Sequence, residues 1–365
     1  MTKKFLVFIL GLILVLSGCS DDKPEENSSN KTTVYTTVYP LQYFTERIGG
    51  DALEVETIYP PGSDEHTFEP SQKDMMKLAD SDLFIFIGLG LEGFVEKAKE
   101  TLKNEKVKMV AAGENIEFVH SDENHDPAHE AEEHADEAEH EEEHADEHGA
   151  ESEDGHEHEG ESEEGHDHEG ESEEGHDHEG ESEEGHDHSH GDIDPHVWLD
   201  PLYSKELAES IKDALVEQMP QQKEQFEQNY LELAQELDLL HNDFEQTVQN
   251  AEHKEFIVSH AAYGYWEERY GLDQISVSGL NSSSEPTQKE LQKIIAEAKE
   301  HDLKYVFFEQ NVSSRLTEIL QKEIGAEPLM LHNLSVLTEE NISENQTYFT
   351  LMEDNLDSLK KALNE

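Results

Sequence analysis

The feature that most constrains this chain is a stretch that cannot contribute to a core. From His120 to His190 there are 33 acidic residues and 16 of the chain's 23 histidines, with no Lys or Arg and almost no large apolar side chain. Such a segment buries too little surface to offset its ordering entropy, and its charges repel one another. Residues 121–190 therefore read as a disordered loop. The formal net charge of −63 is largely local to it. That charge excludes nucleic acid, whose phosphates attract Lys and Arg, and favours cations as partners. Outside this loop and the first 30 residues, about 265 residues remain, enough for two cores of roughly 130 residues each.

The N-terminus sets the compartment. Lys3 and Lys4 precede an apolar run from Phe5 to Leu16, which is too short to span a bilayer and has the charged-then-apolar order of an export signal. The run ends in Leu16-Ser17-Gly18-Cys19, and Cys19 is the only cysteine. This resembles the bacterial lipoprotein cleavage box, which implies a signal peptide over 1–18 and acylation of the Cys19 thiol. The competing reading is an ordinary signal with an incidental cysteine. A single cysteine forms no internal disulfide, so packing alone must hold the fold. Residues 19–31 read as a flexible tether.

β-rich runs at Thr33–Tyr39, Leu53–Tyr59, Asp82–Ile87 and Val107–Ala111 alternate with helix-like stretches, and a second set follows at Glu255–Ser259, Gln274–Val277, Lys304–Phe308 and Pro328–Leu331. That alternation predicts an α/β fold with mostly parallel sheets in two similar halves. Between them, residues 221–250 are predicted to form one long helix. Phe226, Tyr230, Leu233, Leu237, Leu240, Phe244 and Val248 share a face there, without Gly or Pro up to Gln249. An ordinary bundle helix would show the same face, but the position between two strand sets argues for a rigid connector. The predicted organisation is an N-terminal lobe over 32–220, interrupted by the loop, and a C-terminal lobe over 251–365.

Seven histidines lie outside the acidic segment, and three stand at strand ends or loop-to-helix junctions: His66, His196 and His260. In open α/β sheets such positions converge at the carboxyl ends of strands, where ligands bind. Glu309 follows the apolar run Tyr305–Phe308, where a buried carboxylate is costly without a cation. Three imidazoles and a carboxylate suit zinc, whereas manganese prefers more oxygen. Each residue alone is more often a satisfied polar group than a ligand.

The segments carrying these residues are Gly62-Ser63-Asp64-Glu65-His66-Thr67-Phe68-Glu69-Pro70-Ser71, Asp194-Pro195-His196-Val197-Trp198-Leu199-Asp200-Pro201, Ser259-His260-Ala261-Ala262-Tyr263-Gly264-Tyr265-Trp266 and Phe308-Glu309-Gln310. In this order along the mature chain they resemble the metal-binding motifs of zinc/manganese solute-binding lipoproteins of ABC transporters, in particular the ZnuA-type subgroup for high-affinity zinc uptake. The resemblance implies two α/β lobes joined by a rigid helix, with a Zn2+ ion held in the cleft by His66, His196, His260 and Glu309. The ion would be cargo, delivered to an ABC permease and its ATPase by a monomeric, lipid-anchored, extracytoplasmic protein that is not an enzyme. A histidine at the third ligand position, His260, favours zinc over manganese, and Glu65 or a water competes with Glu309 for the fourth place.

The acidic segment repeats Glu-Gly-Glu-Ser-Glu-Glu-Gly-His-Asp-His three times, ending at His168, His178 and His188. Charge alone would make a solubilising spacer, whereas paired histidines around one Asp supply metal ligands at every repeat. Two rivals come from other classes. A zinc hydrolase would use His140-Glu141-Glu142-Glu143-His144, but that match sits in composition that generates it by chance and offers no packed helix to hold geometry. A histidine-rich metal buffer would not need two α/β halves and a lipid anchor.

Overall fold

The computed structural model describes residues 31–118, 193–281, 285–310 and 315–365. The signal segment, Cys19, most of the tether and the acidic loop with its repeats and its His140–His144 pattern lie outside the described residues.

Two parallel four-stranded sheets organise the protein. The first holds β1 (Thr32–Thr36), β2 (Leu53–Thr57), β3 (Leu83–Phe86) and β4 (Lys108–Ala111) in the order β2-β1-β3-β4. The second holds β5 (Glu255–His260), β6 (Asp273–Ser278), β7 (Tyr305–Phe308) and β8 (Glu327–Met330) in the order β6-β5-β7-β8. The halves thus share one topology, and strand order reverses at β1/β3 and at β5/β7. Loops leaving a sheet at such a switch point diverge and open a crevice at the carboxyl ends. All eight strands expected from the sequence form. β1 stops at Thr36 rather than Tyr39, because Pro40 stands in the first turn of the helix that follows.

Ten helices surround the sheets among the described residues: α1 (Tyr39–Gly49), α2 (Gln72–Asp80), α3 (Val95–Leu102), α4 (Pro201–Gln218), α5 (Lys223–Gln249), α6 (Gly264–Tyr270), α7 (Gln288–Glu300), α8 (Arg315–Ile324), α9 (Glu339–Ser343) and α10 (Tyr348–Ala362). The long helix α5 buries Phe226, Leu233, Leu237, Leu240, Phe244 and Val248, while Tyr230 is only half-buried. Burial of each large side chain contributes about 1.5–3 kcal/mol relative to exposure. Arg47 grips Glu236 at 2.6 and 3.0 Å, and Lys205 reaches Asp238 at 2.8 Å. These partly exposed pairs contribute about 1 kcal/mol at most, so packing fixes the helix. It lies against α1, α4, α6 and α10.

That placement changes the core from the one expected. Instead of two separate cores, one cluster of buried side chains runs from Val34 and Phe44 through Trp198, Leu237 and Phe244 to Trp266, Tyr348 and Leu359. A smaller cluster, Ile257, Ile275, Val277, Ala298, Val306 and Leu320, lies beneath α7 and α8. A helix packed on both halves at once gives them a common interior.

Candidate metal centre

Each residue singled out in the sequence is delivered by an identifiable local device. His260 is the last residue of β5 and Glu309 directly follows β7. These strands are parallel neighbours with Ile257 opposite Val306, so the same register carried three residues on sets His260 beside Glu309. His66 lies in the loop from β2 to α2, where Asp64 Oδ1 accepts its backbone N–H at 2.9 Å. That loop ends at Ser71, which caps α2 in a reciprocal capping box with Asp74. His196 precedes a 3-10 turn, Val197–Leu199. Beyond it Asp200 caps α4 by accepting the Leu202 and Tyr203 N–H groups at 2.8 and 3.0 Å, with Pro201 in the first turn.

These devices bring three imidazoles together. His66 Nε2 lies 3.3 Å from His196 Nε2, which lies 3.4 Å from His260 Nε2. The opposite ring nitrogens of two of them are taken. His196 Nδ1 sits 2.7 Å from Asp194 Oδ1, which also accepts the His196 backbone N–H, and His260 Nδ1 sits 2.7 Å from Glu309 Oε1. An ionised carboxylate only accepts, so both Nδ1 atoms carry the proton in the neutral rings and both Nε2 atoms keep a free lone pair. Among the described residues, Glu65, His66, His196 and His260 form the one group whose possible ligand atoms all lie within 4.8 Å of one another. Glu309 is held elsewhere: Oε1 faces the His260 ring on the side away from Nε2, and Oε2 accepts from Asn333 Nδ2 at 3.0 Å.

Burial and charge set the protonation. His66 is pushed down to about 4, chiefly by burial and then by the neighbouring His196 and His260. Burial also pushes His260 down, but Glu309, with help from Glu65 and Asp194, more than offsets this and the net shift is upward. Glu65, 4% exposed, is raised by burial despite the opposing pull of the two histidines and Ser335. A buried carboxylate with no cation nearby prefers its proton; a divalent ion would reverse that preference.

The segment bearing His196 precedes α4 in sequence but is fastened to the second half. Trp198, packed 5.3 Å from the His196 ring, donates its indole N–H to Asn333 O at 2.7 Å, and Tyr348 donates to Trp198 O at 2.9 Å. Trp266 donates to Leu199 O at 2.8 Å, Tyr265 to Asp194 O, and Arg269 pairs with Asp200. Sequence reasoning named Asp194 only as part of a motif; its i, i+2 spacing to His196 was the available signal. It missed Asn333 and Ser335, whose one signal is a position just beyond the carboxyl end of β8.

Two α/β halves of matching topology around a long shared helix, with a buried, nitrogen-rich cation centre where strand ends meet, define the class of two-lobed solute-binding proteins. Within that class, the chain belongs to the ZnuA family, zinc-uptake complex component A, periplasmic, whose pattern matches residues 34–362. It is 31% identical over 364 residues to the zinc-binding lipoprotein AdcA of Streptococcus pneumoniae, a match covering all of this chain and 62% of that protein. The chain thus spans less than two thirds of that relative's length. It is also 31% identical over 361 residues to the high-affinity zinc uptake system protein ZnuA of Bacillus subtilis, covering 98% of this chain and 97% of that one. Among solved structures, the Zn(II)-bound ZnuA-like domain of Streptococcus pneumoniae AdcA aligns with a TM-score of 0.65 at 28% identity, covering 92% of this chain and 100% of that domain. The metal-dependent lipoprotein YcdH of Bacillus subtilis gives 0.64 at 29% identity, covering 91% and 99%.

Proposed function

We propose that this protein captures Zn2+ between its halves and delivers it to an ABC permease and its ATPase for high-affinity zinc import, acting as a monomer anchored outside the membrane by a lipid on Cys19. The ligands are His66, His196 and His260 through Nε2, with Glu65 as the fourth. Glu309, which the sequence suggested for that place, is better read as the acceptor that orients His260. One observation carries the reading. Ligand nitrogens about 2.0–2.1 Å from a tetrahedral zinc stand about 3.3–3.4 Å apart, and the two measured Nε2 separations are 3.3 and 3.4 Å. Two carboxylate–histidine pairs behind the ligands have the arrangement that fixes tautomer and raises ligand basicity in zinc sites.

Three nitrogens and one oxygen favour zinc over manganese, which prefers an oxygen-rich shell. A hydrolase would keep a coordination place open for water; here Glu65 fills it. The reading is tested by chelator-competition titration of the protein starting at residue 19, and of the same protein lacking residues 121–190. One tight zinc site that survives the deletion supports it, and its absence from both proteins overturns it.

A further inference from the structure

Asn333, wholly buried in the loop after β8, is one hydrogen-bonded intermediary away from three of the four proposed ligands. Its side-chain amide N–H donates to Glu309 Oε2 at 3.0 Å, and Glu309 Oε1 holds His260 Nδ1 at 2.7 Å. Its Oδ1 accepts from the Ser335 N–H at 3.1 Å and from the Ser335 hydroxyl at 2.9 Å, and that hydroxyl also neighbours the Glu65 carboxylate. Its backbone carbonyl accepts the indole N–H of Trp198 at 2.7 Å, whose ring packs on His196. Gln310 closes the set, donating to Asn333 Oδ1 at 2.6 Å and accepting the Asn333 N–H at 3.2 Å.

The amide orientation follows from chemistry. A backbone N–H only donates, so Oδ1 must face Ser335, and Nδ2 is left for Glu309, an acceptor when ionised. With every polar atom of Asn333 engaged, its position fixes the lateral position of Glu309, and hence the direction in which His260 Nε2 points. We infer that Asn333 is a positioning residue of the zinc site, acting through Glu309 on His260. It touches no metal itself. The inference rests on the ligand set proposed above.

The test is a double-mutant cycle on the full mature chain. Tight-site zinc affinity is measured by chelator competition, the d–d absorption of the Co2+-loaded protein serves as a signature of ligand geometry, and metal-free thermal stability is followed in parallel. Asn333→Leu keeps the volume and removes the side-chain hydrogen bonds. It should weaken zinc by up to about tenfold, no more than the loss of Glu309, the outer partner of His260, and alter the Co2+ spectrum. In a Glu309→Gln background the same change should cost much less, because the path to His260 is already cut. Equal cost in both backgrounds, or an unchanged affinity and spectrum, overturns the inference while leaving the ligand set standing. If even the unmodified chain has no tight site, the ligand set itself fails. Should Asn333→Leu not fold, the Asn333 side-chain amide is followed by NMR in the unsubstituted chain. Its resonance should move on zinc loading and lose that response in Glu309→Gln; a response that persists there overturns the inference.

Discussion

Glu65→Gln and Glu309→Gln separate a ligand from an orienting group with near-isosteric changes. Both carboxylates are buried, at 4% and 5% exposure, so neither effect is diluted by solvent. Zinc sites with four protein ligands bind with about 10–16 kcal/mol at neutral pH, or about 2.5–4 kcal/mol per ligand. Some of this is returned in Glu65→Gln, because the metal-free protein no longer holds a carboxylate that burial disfavours. A net loss of about 3 kcal/mol corresponds to roughly a hundredfold weaker zinc. Glu309→Gln leaves one acceptor oxygen where His260 Nδ1 and Asn333 Nδ2 each now have one, for which about tenfold is the expectation, with 100-fold as the upper end. It also removes the charge that holds His260 above its ordinary pKa, so the pH at which zinc affinity falls should move down. Glu65→Gln should move it less through His260, because Glu65 adds less than Glu309 to the upward pull on that ring. Chelator competition at several pH values reads both quantities. A larger loss for Glu309→Gln, with no change in pH profile, would refute the assignment and make Glu309 the ligand.

In the unsubstituted protein zinc affinity should rise with pH, since neutral imidazole and ionised carboxylate are the binding forms. With His260 raised above the ordinary imidazole value of about 6.5, the loss on acidification should begin no lower than about pH 6.5, with Glu65 adding to it above the usual carboxylate range and His66, at about 4, only in stronger acid; affinity flat between about pH 5 and 7.5 would contradict this. Deleting residues 121–190 should remove several weak sites and keep the tight one, which calorimetry distinguishes by stoichiometry. Cys19→Ala should move the protein from the membrane to the soluble fraction; continued retention would point to a protein anchor. Trp198 touches the His196 ring, whereas Trp266 stands behind it against Phe244 and Tyr263. Trp198→Phe should therefore abolish most of the zinc-induced change in intrinsic fluorescence, and a full response remaining would assign the signal to Trp266.

Local signals were enough for much of the fold. The eight strands and the apolar face of α5 were legible in the sequence, because each is written within a few neighbouring residues. His66, His196 and His260 were legible for a related reason: each stands where a strand ends or a helix begins, and parallel sheets send such ends to one side. What the sequence could not supply was direction. Whether Glu65 or Glu309 faces the three Nε2 atoms depends on which way two buried carboxylates point, and no spacing encodes that. The register of β5 against β7 turns Glu309 to the back of the His260 ring, and the β2–α2 loop carries Glu65 to the front. Asn333 lay further out of reach, since apart from Ser335 its partners stand 23 to 135 positions away. The shared core was hidden likewise, because the faces of α4, α5 and α10 show that they are apolar but not what they meet. Sequence sets which groups are available and where chains turn; only packing at close range decides which buried lone pairs converge on one point.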